Sequence, residues 1–384
     1  MFQFNVAMLD VLIVGAGPAG SVAAAVLARA GARVRMVDRA MFPRDKLCGD
    51  TVNPGALATL SRLGLARPID SCGLPVEGMR LTGANGAVVE GRYPRGQIGR
   101  ALLRRHFDWM LLHDAIAAGA QFEPGVTVRR PLIDGGRVTG VRAGGRGWED
   151  DLRARVTIAA DGRRSALAFS LGLARHPSRP RRWAIGAYLE TGGSATSSPL
   201  GEMHIRSGRY IGIAPVPGGL TNICVVKPWR PGDHAFGDPR RLLIEELARD
   251  PWLSDRFAGA RLAHPPAVLG PLAVDVRPCA IEGLLLAGDA AGFVDPMTGD
   301  GLCFAIRGAE LVAHSALTAL EHGWIGVHDS LAFQRRVAFS GKWRFDRVVR
   351  GLVASPPAVA VAAVGARVAP AVLRQAIAYA GDCQ

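Results

Sequence analysis

The stretch Asp10-Val-Leu-Ile-Val14, running straight into Gly15-Ala-Gly-Pro-Ala-Gly20, decides how the rest of the chain is read. Its first five residues are a short apolar run rich in β-branched side chains, as in a strand buried on both faces of a parallel sheet. Residues 21–30, rich in Ala, Leu and Val, predict a helix that stops at Gly31. Residues 34–37 predict a second strand, closed by Asp38. Strand, glycine turn, helix and strand within about thirty residues make a βαβ unit. A GxGxxG string alone is weak in a chain rich in Gly and Ala. This one leaves a strand, opens a helix and is answered by an acid at the end of the next strand, so it reads as a dinucleotide-binding fingerprint. Gly15 permits the tight turn, Gly17 lets a diphosphate approach the backbone, and Gly20 lets helix and strand pack closely. The turn from Gly15 through Ala16, Gly17, Pro18 and Ala19 to Gly20 brings unpaired amides and a positive dipole end to that anion. Asp38, with Arg39 beside it, is placed to accept from ribose hydroxyls.

Outward from this unit, residues 54–63 predict a helix closed by Gly64. Residues 100–118 predict a longer one, with Leu103, Phe107, Met110, Leu111 and Ile116 on one face. Residues 137–142 and 156–160 read as strands. From 176 to 275 the character changes to short β-like runs (183–189, 210–214, 221–226) punctuated by Pro, Gly and Ser. Residues 284–287 return to a buried strand and 301–320 to a long helix. The chain thus leaves one domain and comes back to it. The expected fold class is α/β, two-lobed: a Rossmann-like nucleotide domain with an inserted antiparallel β-sheet domain and a C-terminal helical segment. The expected boundaries are 1–69, 96–175 and 276–325 for the first, 70–95 and 176–275 for the second, and 326–384 for the third.

Composition narrows the function classes. With 49% hydrophobic and 21% charged residues in 384, the chain can bury a sizeable core, and whole-chain disorder is excluded. The 46 basic residues exceed the 33 acidic ones by 13, nearly all of the excess being arginine. The arginines are scattered, the densest groups being Arg104-Arg105, Arg129-Arg130, Arg163-Arg164 and residues 179–182. No nucleic-acid module surrounds them, and 6% aromatic residues is thin for a stacking platform. No nucleic-acid partner is therefore expected. The charge suits a solvated surface, an anionic cofactor or a lipid. Six cysteines without a CxxC pair predict no metal site and a reducing, cytoplasmic compartment. The first ten residues lack a basic region and a cleavage site, so they are not read as a signal peptide. The most apolar run, 352–373, is interrupted by prolines and arginine and falls short of a membrane span.

Two further motifs choose between dinucleotides. Thr157-Ile-Ala-Ala-Asp-Gly-Arg-Arg-Ser165 places Asp161 and Gly162 just after a strand. Leu284-Leu-Leu-Ala-Gly-Asp-Ala-Ala-Gly292 places Gly288 and Asp289 after another, and Pro296-Met-Thr-Gly-Asp-Gly301 then leads into a helix. The three motifs in this order resemble the FAD-dependent superfamily of the geranylgeranyl reductases and aromatic hydroxylases (group A flavin monooxygenases), over roughly residues 1–320. The run from Gly288 to Gly301 and the loop Phe42-Pro-Arg-Asp-Lys-Leu-Cys-Gly-Asp50 look most like the geranylgeranyl reductase branch. Hydroxylases usually carry a histidine and an asparagine where this chain has Gly292 and Leu302. Flavin halogenases carry a Trp-x-Trp-x-Ile-Pro run where this chain has Tyr210-Ile-Gly-Ile-Ala-Pro215, and that stretch also lacks the aromatic-Trp-Phe-Pro pattern of the reductases.

The resemblance implies FAD as cofactor. Asp289 would hold a ribityl hydroxyl, and Pro296, Gly299 and Gly301 would lie against the isoalloxazine. Amides near Gly301 and Leu302 would face its N1/O2 side. Arg104, in Arg-x-x-Phe-Asp, would lie near the diphosphate and Val128 near adenine. Asp161 and Gly162 would serve both FAD and the nicotinamide, and Cys48 and Gly49 would lie beside the flavin. No second GxGxxG unit is present, so NAD(P)H would bind transiently as the electron donor. Reduction of a C=C bond in a hydrophobic substrate, isoprenoid or polyketide-like, is expected first, and hydroxylation of an aromatic or polyketide second. A flavoprotein that only passes electrons to a partner is a third reading. Cys48 and Tyr210 are the candidate catalytic side chains. Each also has a plainer reading, Cys48 as a small apolar wall residue and Tyr210 as a packed sheet residue. His204 and His264 show no partner pattern. The basic and apolar segment 344–380 reads as a helical lid or dimer face, or as a peripheral contact with a membrane's inner face that would suit a lipid substrate.

Overall fold

The computed structural model describes residues 8–83, 86–178, 181–191, 198–229 and 235–383. The reading of the first seven residues, and Arg179 of the arginine cluster, lie outside them. The nucleotide lobe is built on a sheet ordered Ala280–Ile281, Leu284–Leu286, Trp148–Ala159, Leu9–Val14, Val34–Asp38 and Gln121–Pro124. From Leu284–Leu286 to Gln121–Pro124 every neighbouring pair is parallel. Val11, Leu12 and Ile13 are fully buried, as a central parallel strand requires.

The register matters most. Val14 pairs with Ala159 on one side and Val37 on the other, and Ala159 pairs with Leu286. The strands that precede the three glycine-containing motifs therefore end at one level. Helices Pro18–Arg29, Arg104–Ala117 and Gly301–His322 cover one face through a core that includes Ile13, Leu27, Phe107, Leu111, Ile306 and Val312. An antiparallel meander, Thr127–Asp134 and Arg137–Gly145 running into Trp148–Ala159, covers the other.

The second sheet runs Arg261–Leu262, Arg182–Glu190, Leu220–Pro228, Arg209–Val216, Leu200–Arg206, Gly78–Thr82 and Val88–Arg92. Its period-two alternation sorts the faces. Ile185, Ile211, Ile223 and Val225 pack under the helix Pro239–Ala248, while Ala184, Tyr210 and Val226 look back toward the nucleotide lobe. Three helices, Val327–Ala354, Pro356–Val368 and Pro370–Ala380, close the chain.

Two expectations need correction. The inserted sheet is not wholly antiparallel: Leu200–Arg206 pairs in parallel with Gly78–Thr82, because the latter enters from far upstream in the chain. The helix expected over 100–118 begins only at Arg104. Gly99–Ala101 is instead a short strand between Thr51–Val52 and Leu74–Val76. The inner face of the helix Arg104–Ala117 is Phe107, Asp108, Leu111, Leu112 and Ala115, and Ile116 is exposed.

Gly20 lies where the first helix touches the turn that precedes it. A Cβ there would stand 1.8 Å from the Gly15 carbonyl oxygen. Gly20→Ala is expected to cost about 3 kcal/mol through this backbone overlap, read as a lowered urea midpoint at unchanged slope.

Candidate active site

A cleft of about 560 Å³ opens where the parallel strands end. Gly15, Gly17, Pro18 and Ala19 form one side, with Asp38 and Arg39 at the next strand. Asp161 and Gly162 form a second side, and Gly288 and Asp289 a third. Cys48, Gly49, Arg104 and Val128 join from the flanking loop, helix and meander. Pro296, Gly299, Gly301 and Leu302 complete the far end. Ala16 and Gly20 stay behind this surface. The Ala16 amide donates to Asp38 Oδ2 at 2.9 Å and the Ala40 amide to Oδ1 at 2.8 Å, so Asp38 also ties the first two loops together.

Charge and open backbone mark the ligand. Asp108 is fully buried and takes two bonds from Arg104, at 2.7 and 2.9 Å, with Arg44 3.2 Å away. Two guanidiniums on one carboxylate leave a positive charge beside the glycine turn. Burial works against the Arg104 charge, but Asp108 and Cys48 outweigh it and raise the pKa well above its usual value. The Arg44 Nη1 and Asp161 Oδ1 atoms are buried without a hydrogen-bond partner. A Cβ on Gly17 would meet only Arg44, at 3.4 Å, and one on Gly162 or Gly299 would meet nothing within 4 Å. Burial pushes the Asp289 carboxyl up while Lys46, Arg104 and Arg163 pull it down. The combination of a cation and an orphaned donor at the turn, a buried acid farther in and bare backbone at the far end fits a flavin dinucleotide. The diphosphate would lie by Gly17 and Arg44, and the ring system by Gly299.

The loop carrying Cys48 is held by the inserted sheet. Asn222 Nδ2 donates to the Cys48 carbonyl at 2.8 Å and also to Asp50 Oδ2, which takes the Tyr188 hydroxyl at 2.7 Å. Asp50 Oδ1 accepts the Arg104 amide at 3.2 Å. Burial lifts the Asp50 carboxyl to about 6, against those donors. Leu47 seats over Gly186, where a Cβ would come within 1.8 Å of it.

Tyr210 stands apart from the main cleft. It is buried, its hydroxyl donates to Asp295 Oδ1 at 2.5 Å, and Asp295 also receives Arg182 at 3.4 Å. It lines a second, smaller cavity of about 100 Å³ between the sheet and the 296–299 loop, with Val52, Val76, Met79, Met203 and Met297 among its walls. Gly49, Thr51, Cys224, Pro296 and Gly299 line both spaces, so the two adjoin. His204 is buried between Thr82, at 2.8 Å, and Glu202, at 3.0 Å, and His264 is exposed. Among the described residues no group of three or more His, Cys, Asp or Glu could hold a metal ion. Sequence reading missed Arg44, Asp50, Asn222 and Asp295 as site-shaping residues. Their signal is long-range pairing, though the Phe42–Asp50 run did mark the loop.

The family described as "FAD binding domain" matches residues 8–331. The chain is 34% identical over 318 residues to menaquinone reductase of Mycobacterium tuberculosis, covering 79% of this chain and 75% of that protein. It is 31% identical over 318 residues to digeranylgeranylglycerophospholipid reductase 2 of Methanopyrus kandleri, covering 81% and 78%. Among solved structures it is similar to the flavin-dependent brominase Bmp2, with a TM-score of 0.85 at 20% identity, over 98% of this chain and 94% of that one. At that identity the likeness speaks of the fold alone.

Asp289→Ala is expected to lower FAD content severalfold in purified protein, read as the ratio of flavin to protein absorbance. Full occupancy in that variant would remove Asp289 from the binding site.

Proposed function

The chain belongs to the FAD binding domain family and is an FAD-dependent oxidoreductase; we propose that it reduces a C=C bond in a hydrophobic, isoprenoid-like substrate, with NAD(P)H as a transient donor. The observation that carries this reading is the second cavity. It adjoins the cofactor cleft, and its walls are mainly apolar side chains and bare glycines. Relatives named menaquinone reductase and digeranylgeranylglycerophospholipid reductase support the substrate class.

FAD, when bound, supplies hydride chemistry. The chain's own residues do the rest. On this reading residues 1–69, 96–175 and 276–325 hold the cofactor, 70–95 and 176–275 wall the substrate, and 326–384 close it off. Arg44, Arg104 and the glycine turn hold the diphosphate, and Asp289 holds the ribityl chain. The amides of Gly301 and Leu302, at a helix N-terminus, would face the ring and favour negative charge there. Cys48 borders the reacting space from a loop that Asn222 and Tyr188 keep in place. Apolar walls exclude water, which strengthens each of these interactions. Tyr210, its hydroxyl committed to Asp295, acts as a positioning residue for the 296–299 loop.

Lipid substrates reach a water-exposed enzyme most directly at a membrane surface. From Arg347 to Gly381 the sequence holds no acidic residue. Val361, Val364, Val368 and Val372 there are 57–80% exposed, and Arg344, Arg347 and Arg374 are exposed nearby. No helix among the described residues is long and apolar enough to cross a membrane. These helices would therefore lie on an anionic lipid surface.

Two measurements test the reading. Chemically reduced, FAD-loaded protein is expected to add one H₂ to menaquinone or a geranylgeranyl lipid without oxygen, detected by mass spectrometry. An absolute need for oxygen, with its label in the product, would make the protein a hydroxylase instead. The double variant Val361→Glu, Val372→Glu is expected to lose most co-sedimentation with vesicles containing phosphatidylglycerol while keeping its FAD. Unchanged sedimentation would remove the membrane contact.

A further inference from the structure

A group of buried acids lies directly behind the loop that faces the flavin. Pro296, Gly299 and Gly301 line the cofactor cleft, whereas the side chain of Asp300, between the two glycines, is 1% exposed and turns inward. Lys342 reaches Asp300 Oδ1 at 3.0 Å, and Asn53 reaches the same oxygen at 3.3 Å. Lys342 also donates to the carbonyls of Tyr379 and Ala380. Asp346 sits one helical turn beyond Lys342 and is 2% exposed.

The partners do not go round. Asp300 Oδ2, Asp346 Oδ1 and Thr298 Oγ1 are all buried, and the single hydroxyl proton of Thr298 stands between the two carboxyls and cannot serve both. Thr298 lies beside both acids and also lines the apolar cavity. The groups facing Asp346 are Asp300 and Asp295 from the loop and Lys342 from its own helix. Behind Asp295 stand Arg182 and Tyr210, both already bonded to it. Lys342 is committed to Asp300, so Asp346 has no counter-ion of its own among the described residues. A buried carboxylate in that position is costly, and a proton removes the cost.

We propose that Asp346 takes up a proton when the bound flavin is reduced, and that Thr298 links this proton to the apolar cavity. The proton uptake rests on FAD binding alone, whereas its delivery through Thr298 rests on the double-bond reduction proposed above. Its physical basis is like-charge coupling. Negative charge gained on the cofactor side of the 296–301 loop raises the proton affinity of acids on the other side. Asp346 is poised for this. Burial first, and Asp300 next, push its carboxyl up to about 7, while Thr298 and Lys342 pull it down. Asp300 is lifted to about 6, mainly by burial, but keeps its lysine.

The balance closes for a double-bond reduction. One carbon receives hydride, and the other receives the proton. The Asp346 O–H bond breaks as its proton passes to the Thr298 oxygen, whose own proton forms the new C–H bond. Asp346 is left as the carboxylate until the next reduction. It is a positioning residue for the proton and does not itself touch substrate.

The test needs no substrate. The midpoint potential of the FAD-loaded protein is measured against pH. In the native protein the plot is expected to steepen by one extra proton per two electrons, starting near pH 7, where Asp346 is ionised in the oxidised form only. Asp346→Asn should lack that steeper segment and show a higher potential above pH 7. Asp346→Glu should restore the segment. Identical plots for the native protein and Asp346→Asn would overturn the proposal.

A stability check guards against a misfolded variant. The native carboxyl binds its proton more tightly than the unfolded one, so its burial costs stability as pH rises from about 4 through 7. Asp346→Asn should then be at least as stable as the native protein at pH 8. If it retains no FAD, proton uptake by the native protein alone, followed with an indicator dye during reduction at pH 7.5, decides the matter. Failure to take up the extra proton would also overturn the proposal.

Discussion

Everything in the cofactor cleft depends on the register of one parallel sheet. Val14, Ala159 and Leu286 stand side by side, so three motifs separated by more than a hundred residues start from one line. Hydrogen bonds of the sheet hold that line, and full burial of Val11, Leu12 and Ile13 keeps it from slipping. The rest follows from what each chain does after its strand ends: a glycine turn, an Asp-Gly step, and a Gly-Asp step leading to a helix.

The inserted sheet governs the other half of the site. It reaches two loops, each through a buried acid. Asp50 hangs from Tyr188 and Asn222, and Asp295 from Tyr210 and Arg182. One loop brings Cys48 and the other brings Gly299. A shift of the sheet would therefore move both walls of the reacting space together, and with them the geometry that hydride transfer demands.

Much of this was legible in the sequence, for a physical reason. The glycine motifs encode local backbone shape, and local shape is written in contiguous residues. The same holds for the helix Pro54–Leu63, whose left-handed cap at Gly64 was readable from one residue. What could not be read was pairing at a distance. Nothing near Asp50 announces Asn222, and nothing near Arg182 announces Asp295. The start of the helix at Arg104 was misplaced because Gly99–Ala101 is made a strand by partners at Thr51–Val52 and Leu74–Val76, not by its own composition. Tyr210 reads from the sequence as a candidate catalytic side chain, and its hydroxyl is committed to Asp295, an acid that pattern alone could not supply.

The smaller cavity has Met79, Met203 and Met297 in its lining. Unbranched thioether chains turn about several bonds and refill irregular space at little energetic cost. A wall of this kind yields to the outline of whatever enters and reads it only loosely. Discrimination among related molecules would then fall to the rigid groups at the junction, Gly49, Cys224 and Pro296, so one scaffold could accommodate chains of differing branching without rebuilding its interior.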